Sequence, residues 1–195
     1  WATCVASIAL AVVLIAEMSH QAHQEKLAVH FLPHHTAVSL TSGRQCTLLT
    51  DLDSTDTRSY DFYLKNTFGQ WGILRTRTAY LQRSGTPGGT LVSVPGLHQS
   101  RDWALWVWHD KTILLANKFN GRSNWRLPAV VDYLIIRRNA LREWSQLNKR
   151  VVARHIIFDD SNRTPLTDKL LAEARERGIS CFSVRQMGAY VADLE

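Results

Sequence analysis

Two short acidic segments hold the side chains best suited to chemistry. Asp51-Leu52-Asp53-Ser54-Thr55-Asp56 carries three carboxylates and Asp159-Asp160 carries two more. Carboxylates paired in this way can hold magnesium for phosphodiester cleavage. The same residues also serve as helix N-caps and strand-end turns, and Asp159-Asp160 ahead of Ser161-Asn162 reads mainly as turn chemistry. His34-His35 suggests a metal, but neighbours on a strand point to opposite faces and rarely share one ion. His20 and His23 are three apart, enough to share a helix face, with no third ligand nearby. Cys4, Cys46 and Cys181 are far apart and contain no CxxC pair, which excludes a zinc ribbon and gives no disulfide framework.

The elements that must position these residues follow from periodicity. Strands are predicted at 27–32, 36–40 and 45–50, joined tightly enough to form an antiparallel meander. Tyr60, Tyr63, Leu64, Thr67 and Phe68 recur at helical spacing and predict a helix over 57–68, ended by Gly69. Short strands near 76–81 and 90–94 sit among glycines and prolines. Trp103–Trp108 and Thr112–Ala116 form a hairpin across His109-Asp110-Lys111, with apolar residues on both faces and therefore cover expected on both. Beyond Pro128 the rhythm becomes strand 130–136, helix 140–149, strand 151–158, helix 164–177, strand 179–184 and strand 189–194. Alternation of that kind implies parallel strands with crossover helices. Val29, Phe31, Val38, Leu48, Leu134, Ile136, Ile156, Phe158 and Val191 are the expected core.

Composition bounds the function. The 195 residues are 45% hydrophobic and 21% charged, which fits a globular chain, and the net charge of +6 permits contact with nucleic acid or anionic lipid. Trp1 to Ala16 contains no charge and no proline. It falls a little short of the roughly 20 apolar residues of a full membrane crossing. The expectation is the end of a transmembrane helix over 1–17 in a fragment of a longer protein, since no initiator methionine precedes it. No basic segment precedes it either, as a cleavable signal would require. A polar connector over 18–26 and a folded domain over 27–195 follow.

Particular stretches of that domain resemble the C-terminal domain of the ComEC competence proteins. Leu27-Ala-Val-His-Phe-Leu-Pro-His-His-Thr-Ala-Val-Ser-Leu40 is similar to its opening hairpin. Ile156-Ile-Phe-Asp-Asp-Ser-Asn162 and Gly178-Ile-Ser-Cys-Phe-Ser-Val184 are similar to its last αβ unit, and Gly188-Ala-Tyr-Val191 to its closing strand. The resemblance spans roughly 27–51 and 101–195. It implies a mixed α/β fold with a metallo-β-lactamase-like β-sandwich core and flanking helices. It also implies a place in the inner-membrane channel through which competent bacteria take up single-stranded DNA.

The departures from that family point away from hydrolysis. The H-x-H-x-D-H loop of a two-metal hydrolase is absent, and between Asp51 and Trp103 the sole histidine is His98. Later ligand positions of the resembled fold read Ala116-Asn117-Lys118 and Arg137-Arg138-Asn139, where an ammonium and two guanidiniums would repel a divalent cation. Only Asp51 remains near a matching position. The expectation is therefore a non-catalytic domain without cofactor, facing the periplasm. In the resembled fold Lys118, Arg122, Arg126, Arg137 and Arg138 fall in loops around the vacated site, and a basic cleft there would attract DNA phosphates without reading sequence. Its partners would be single-stranded DNA, the rest of its own channel and other competence proteins. Two alternatives stand beside it: a nuclease with a rebuilt site on the five carboxylates, and a purely structural interaction module.

Overall fold

The computed structural model describes residues 1–81, 94–119, 128–147 and 151–194. Helix α1 (Ala2–His23) leads through Gln24 directly into β1 (Glu25–Val29). The polar stretch read as a connector is thus the last turns of the helix. Gln24 fixes the junction: its side-chain amide donates to Gly43 O at 2.9 Å and Trp71 O at 2.7 Å.

The first sheet contains β1, β2 (Ala37–Ser42), β3 (Gln45–Thr50), β4 (Arg75–Tyr80) and, at its far edge, β11 (Tyr190–Asp193), in the order β11-β1-β2-β3-β4. The meander of β1, β2 and β3 is antiparallel, as its short turns require, and β4 joins β3 in parallel. The second sheet runs β10-β9-β8-β7-β6-β5. Its members are β5 (Leu97–Gln99), β6 (Trp103–Trp108), β7 (Lys111–Ala116), β8 (Val130–Ile136), β9 (Val152–Phe158) and β10 (Cys181–Ser183). Strands β7 to β10 are parallel, as the alternating rhythm implied, and β5 to β7 are antiparallel.

The sheets pack face to face because each strand alternates apolar residues on both sides. Leu27, Val29, Val38, Leu40 and Leu49 meet Trp106, Ile113, Tyr133, Ile135 and Ile157 in a central core. On the outer side of the first sheet, Cys46 and Leu48 bury Leu64 and Phe68 of a helical segment over 57–70. That segment comprises α2 (Thr57–Tyr60), a π-helical turn (Asp61–Lys65) and α3 (Asn66–Gln70). On the outer side of the second sheet, Leu134, Ile136, Ile156 and Phe158 bury Leu170, Leu171 and Ala174 of α4 (Thr164–Glu176). The layers are helix, sheet, sheet, helix. Each large side chain so buried contributes roughly 1.5–3 kcal/mol.

The expected core residues are buried with two exceptions. Phe31 is partly exposed, and Val191 is 47% exposed because Tyr190 and Ala192 of its edge strand take the inward positions. Cover on both faces of β6 also fails at Val107, which is 41% exposed beside the short strand β5. The helix expected over 140–149 is a 3-10 turn, Trp144–Gln146, with 148–150 outside the described residues. Leu141, Trp144 and Leu147 are all buried at a spacing of three, the 3-10 period, and Trp144 Nε1 donates to Leu170 O at 3.1 Å. The strand expected over 179–184 is shorter, β10 covering Cys181–Ser183, and the chain then enters the short helix α5 (Val184–Met187). The helical segment is ended by Gly72, at φ +65°, and not by Gly69. The strand expected at 90–94 lies, but for Val94, outside the described residues.

Candidate functional site

Strand register assembles the site. Ala116 pairs with Ile136, Ile136 with Phe158 and Phe158 with Ser183, so four parallel strands end in one row across the second sheet. Asn117-Lys118, Arg137-Arg138, Asp159-Asp160 and Val184-Arg185 therefore leave the sheet side by side, at the carboxyl edge where open α/β sheets bind ligands. In the first sheet, Ala37 pairs with Thr50, which brings His34, His35 and Thr36 beside Asp51 at the mouth of the sandwich.

Hydrogen bonds close that mouth. Asp51 Oδ2 accepts from Arg137 Nη2 and Arg138 Nη2, both at 2.7 Å. Asp51 Oδ1 accepts from Thr36 N at 2.9 Å and lies 3.2 Å from His35 Nδ1. Thr36 Oγ1 donates to Asp159 Oδ2 across the sandwich. The other carboxyl oxygen, Asp159 Oδ1, accepts from Ser161 N at 3.1 Å, Ser161 Oγ at 2.6 Å and Asn162 Nδ2 at 3.0 Å. Arg185 Nε sits 2.7 Å from Asp160 Oδ1, and Asp160 Oδ2 accepts from His34 N at 3.0 Å.

Burial decides what these groups can do. The side chain of Arg137 has no exposed surface, and its Nε and Nη1 have no hydrogen-bond partner among the described residues. Burial lowers its pKa, while the charges of Asp159 and Asp51 hold it up. Burial alone would raise Asp51, but the Arg137 charge, the Thr36 N–H and Arg138 outweigh it and leave Asp51 below its usual range. Burial dominates at Asp159, where Arg137, Ser161 and Thr36 offset it only in part, and the carboxyl is raised to about 6. Such a group has the pKa of a general base without the access, because both its oxygens are bonded and the residue is 2% exposed. The backbone is held as firmly. Arg138 and Asn139 adopt φ of 51° and 57°, with their N–H groups bonded to Ser161 Oγ at 2.9 Å and Asn162 Oδ1 at 2.8 Å.

The expected basic set is divided. Arg137 is sealed between the sheets and cannot reach a phosphate, which removes it from any nucleic-acid surface. Arg138 keeps 34% of its side chain exposed while bound to Asp51. Lys118 is exposed on the adjoining loop, where Phe119 N donates to Ala140 O at 3.4 Å. Arg122 and Arg126 lie outside the described residues. Three guanidiniums face three carboxylates here, so the cluster largely cancels its own field.

The carboxylates proposed for a rebuilt site divide as well. Asp51, Asp159 and Asp160 join the cluster. Asp53 and Asp56 instead line an open cleft of about 200 Å³ with Thr50, Leu52, Tyr60 and Tyr80. Both act locally: Asp53 Oδ1 accepts from Thr55 N at 3.0 Å, and Asp56 Oδ1 caps α2 through Ser59 N at 3.0 Å. Among the described residues no group of three or more His, Cys, Asp or Glu side chains could hold a metal ion. His34 and His35 are split between Asp160 and Asp51. Thr36, Ser161, Asn162 and Arg185 were missed by sequence reasoning; only the Asp-Asp-Ser-Asn turn signalled two of them.

The ComEC C-terminal domain family matches residues 27–194, nearly the whole folded part. The chain belongs to that family. Membership links it to DNA uptake in competence, by a membrane protein, and α1 is long and apolar enough to cross a bilayer. Searches of curated proteins and of solved structures gave no match.

Proposed function

We propose that this chain is a non-catalytic domain of the inner-membrane channel for single-stranded DNA uptake, carried on α1 and facing the periplasm. Family membership supports the process, and the exposed apolar helix supports the membrane. The observation that carries the non-catalytic reading is Arg137. Its buried guanidinium lies between Asp51 and Asp159, the carboxylates a metal would need, and Arg138 takes a second position on Asp51. We read the helix–sheet–sheet–helix layers as a degenerate metallo-β-lactamase-like sandwich, with arginine in place of the cation. DNA contact, on this reading, is confined to the rim, with Lys118 and the open side of Arg138 meeting phosphates without base readout.

The test is incubation of end-labelled single-stranded DNA with the full chain in detergent, with magnesium, manganese or zinc added. The expected result is intact DNA under all conditions. Cleavage lost in both Asp51→Asn and Asp159→Asn would make the chain a nuclease.

A further inference from the structure

The pole opposite the Asp51 cluster is built around the end of α1. A Cβ at Gly43 would lie 2.7 Å from Ala22 O, and one at Gly72 would lie 2.2 Å from the Gln21 side-chain oxygen. Both glycines have positive φ, 55° and 65°, so the β2–β3 turn and the loop after α3 close on the last helical turn without side chains of their own. Arg44 Nη2 donates to Gln21 Oε1 at 3.2 Å, and Gln24 ties the same two loops together. Lys26 Nζ stands 5.5 Å over the Trp71 ring. Beside these contacts Leu74 is 71% exposed, next to exposed Arg75. Leu74 N and Arg75 N both donate to Arg44 O, which holds the two loops as one surface.

Helix length sets the height of that surface. The 22 residues of α1 span about 33 Å at about 1.5 Å per residue, against roughly 30 Å of hydrocarbon. The first charge is Glu17. Gln21 and Ala22 follow by four and five residues, roughly 6–8 Å further along the axis. The headgroup layer on each side is about 5–8 Å thick. The loops that touch Gln21 and Ala22 therefore stand at headgroup height.

We infer that the surface formed by Lys26, Arg44, Trp71, Leu74 and Arg75 docks onto the bilayer, with Leu74 inserted at the headgroup boundary and the cations against lipid phosphates. This inference rests on α1 crossing the membrane. The indole of Trp71 and the basic side chains are the residue types that anchor segments at this depth. Because β3 starts at this pole and ends at Thr50, next to Asp51, the cluster is displayed away from the bilayer, by up to about 20 Å, the length of six strand residues.

Spin labels on the full chain test both statements separately. Cys4, Cys46 and Cys181 are replaced by Ala, and single labels are placed at Val12→Cys, Leu74→Cys or Arg163→Cys. The chain is reconstituted in vesicles of phosphatidylethanolamine and phosphatidylglycerol, and collision with oxygen is compared with collision with a nickel chelate. The label at 12 is expected in lipid and the label at 163 in water. The label at 74 is expected to collide several-fold less with the chelate than that at 163, and Arg44→Glu with Arg75→Glu is expected to narrow the difference. A label at 74 as chelate-accessible as that at 163, with 12 in lipid, overturns the docking surface alone. A label at 12 in water overturns the membrane reading beneath it.

Discussion

Replacing Asp51 by Asn keeps the shape of the side chain and removes the charge that faces Arg137. The guanidinium has no exposed surface, and among the described residues its Nε and Nη1 already lack hydrogen bonds. Removing one partner of a buried pair typically costs about 3–5 kcal/mol, because the other charge stays in low dielectric. Asp159 still neutralises part of Arg137, which places the expected loss near the lower end, about 3 kcal/mol. That is a large share of the about 5–15 kcal/mol that holds a domain together. At about 2–4 °C per kcal/mol for a domain of this size, the melting temperature should fall by roughly 6–12 °C. Thermal unfolding of the full chain in detergent, followed by near-ultraviolet circular dichroism of its tryptophans, reads the change. Arg137→Met combined with Asp51→Asn should recover part of the loss, since no guanidinium is then buried without its partner and Asp159 keeps its hydrogen bonds from Thr36, Ser161 and Asn162. A single Asp51→Asn variant within about 0.5 kcal/mol of wild type, the scale of an ordinary surface substitution, would refute the reasoning.

Asp159 sets a pH dependence. Its carboxyl is raised from 3.8 to about 6, so its contribution to stability is fully present below pH 3.8 and is lost as pH rises through 6. Wild type should therefore gain stability relative to Asp159→Asn between pH 7 and 4, by about 2 kcal/mol, and urea titrations at both pH values check the sign. Gly43→Ala meets both a positive φ and the Ala22 carbonyl; it should destabilise by at least about 1–2 kcal/mol and loosen α1 from the domain, read by hydrogen exchange at residues 21–24. Lys118→Ala with Arg138→Ala should flatten the salt dependence of single-stranded DNA binding by one to two phosphate contacts, about 0.7 log units each, whereas Arg137→Met should leave the slope unchanged. An unaltered slope in the double variant would favour the structural-module alternative.

The strands were legible because their patterns are strong. Gln45–Thr50, Trp103–Trp108 and Val130–Ile136 carry apolar runs of strand length between turn residues, and each has the predicted bounds. The 3-10 turn at Trp144 was not legible, because apolar residues three apart fit either helix type until tertiary packing chooses. The connector was misread for a related reason: Glu17 to His23 is polar enough to leave the membrane phase yet remains helical, and contacts to Gly43 and Gly72 settle its course. Cluster membership was half legible. Asp51, Arg137 and Arg138 stood out by charge, but their mutual neutralisation depends on register between two sheets, which no local pattern encodes. Burial of Arg137 follows from the same register, since its neighbour Ile136 is the last residue of a central strand and the charge turns inward to meet Asp51.

The most direct test of the account concerns what holds the Asp51 pole together. Elemental analysis of the purified full chain, after equilibration with zinc or manganese and removal of free ions, measures whether a metal shares it. With Arg137 and Arg138 bound to Asp51, the prediction is far less than one equivalent of either metal, unchanged in Asp51→Asn. One or more tightly held equivalents, lost in Asp51→Asn or Asp159→Asn, would contradict the reading of a guanidinium-filled, non-catalytic site.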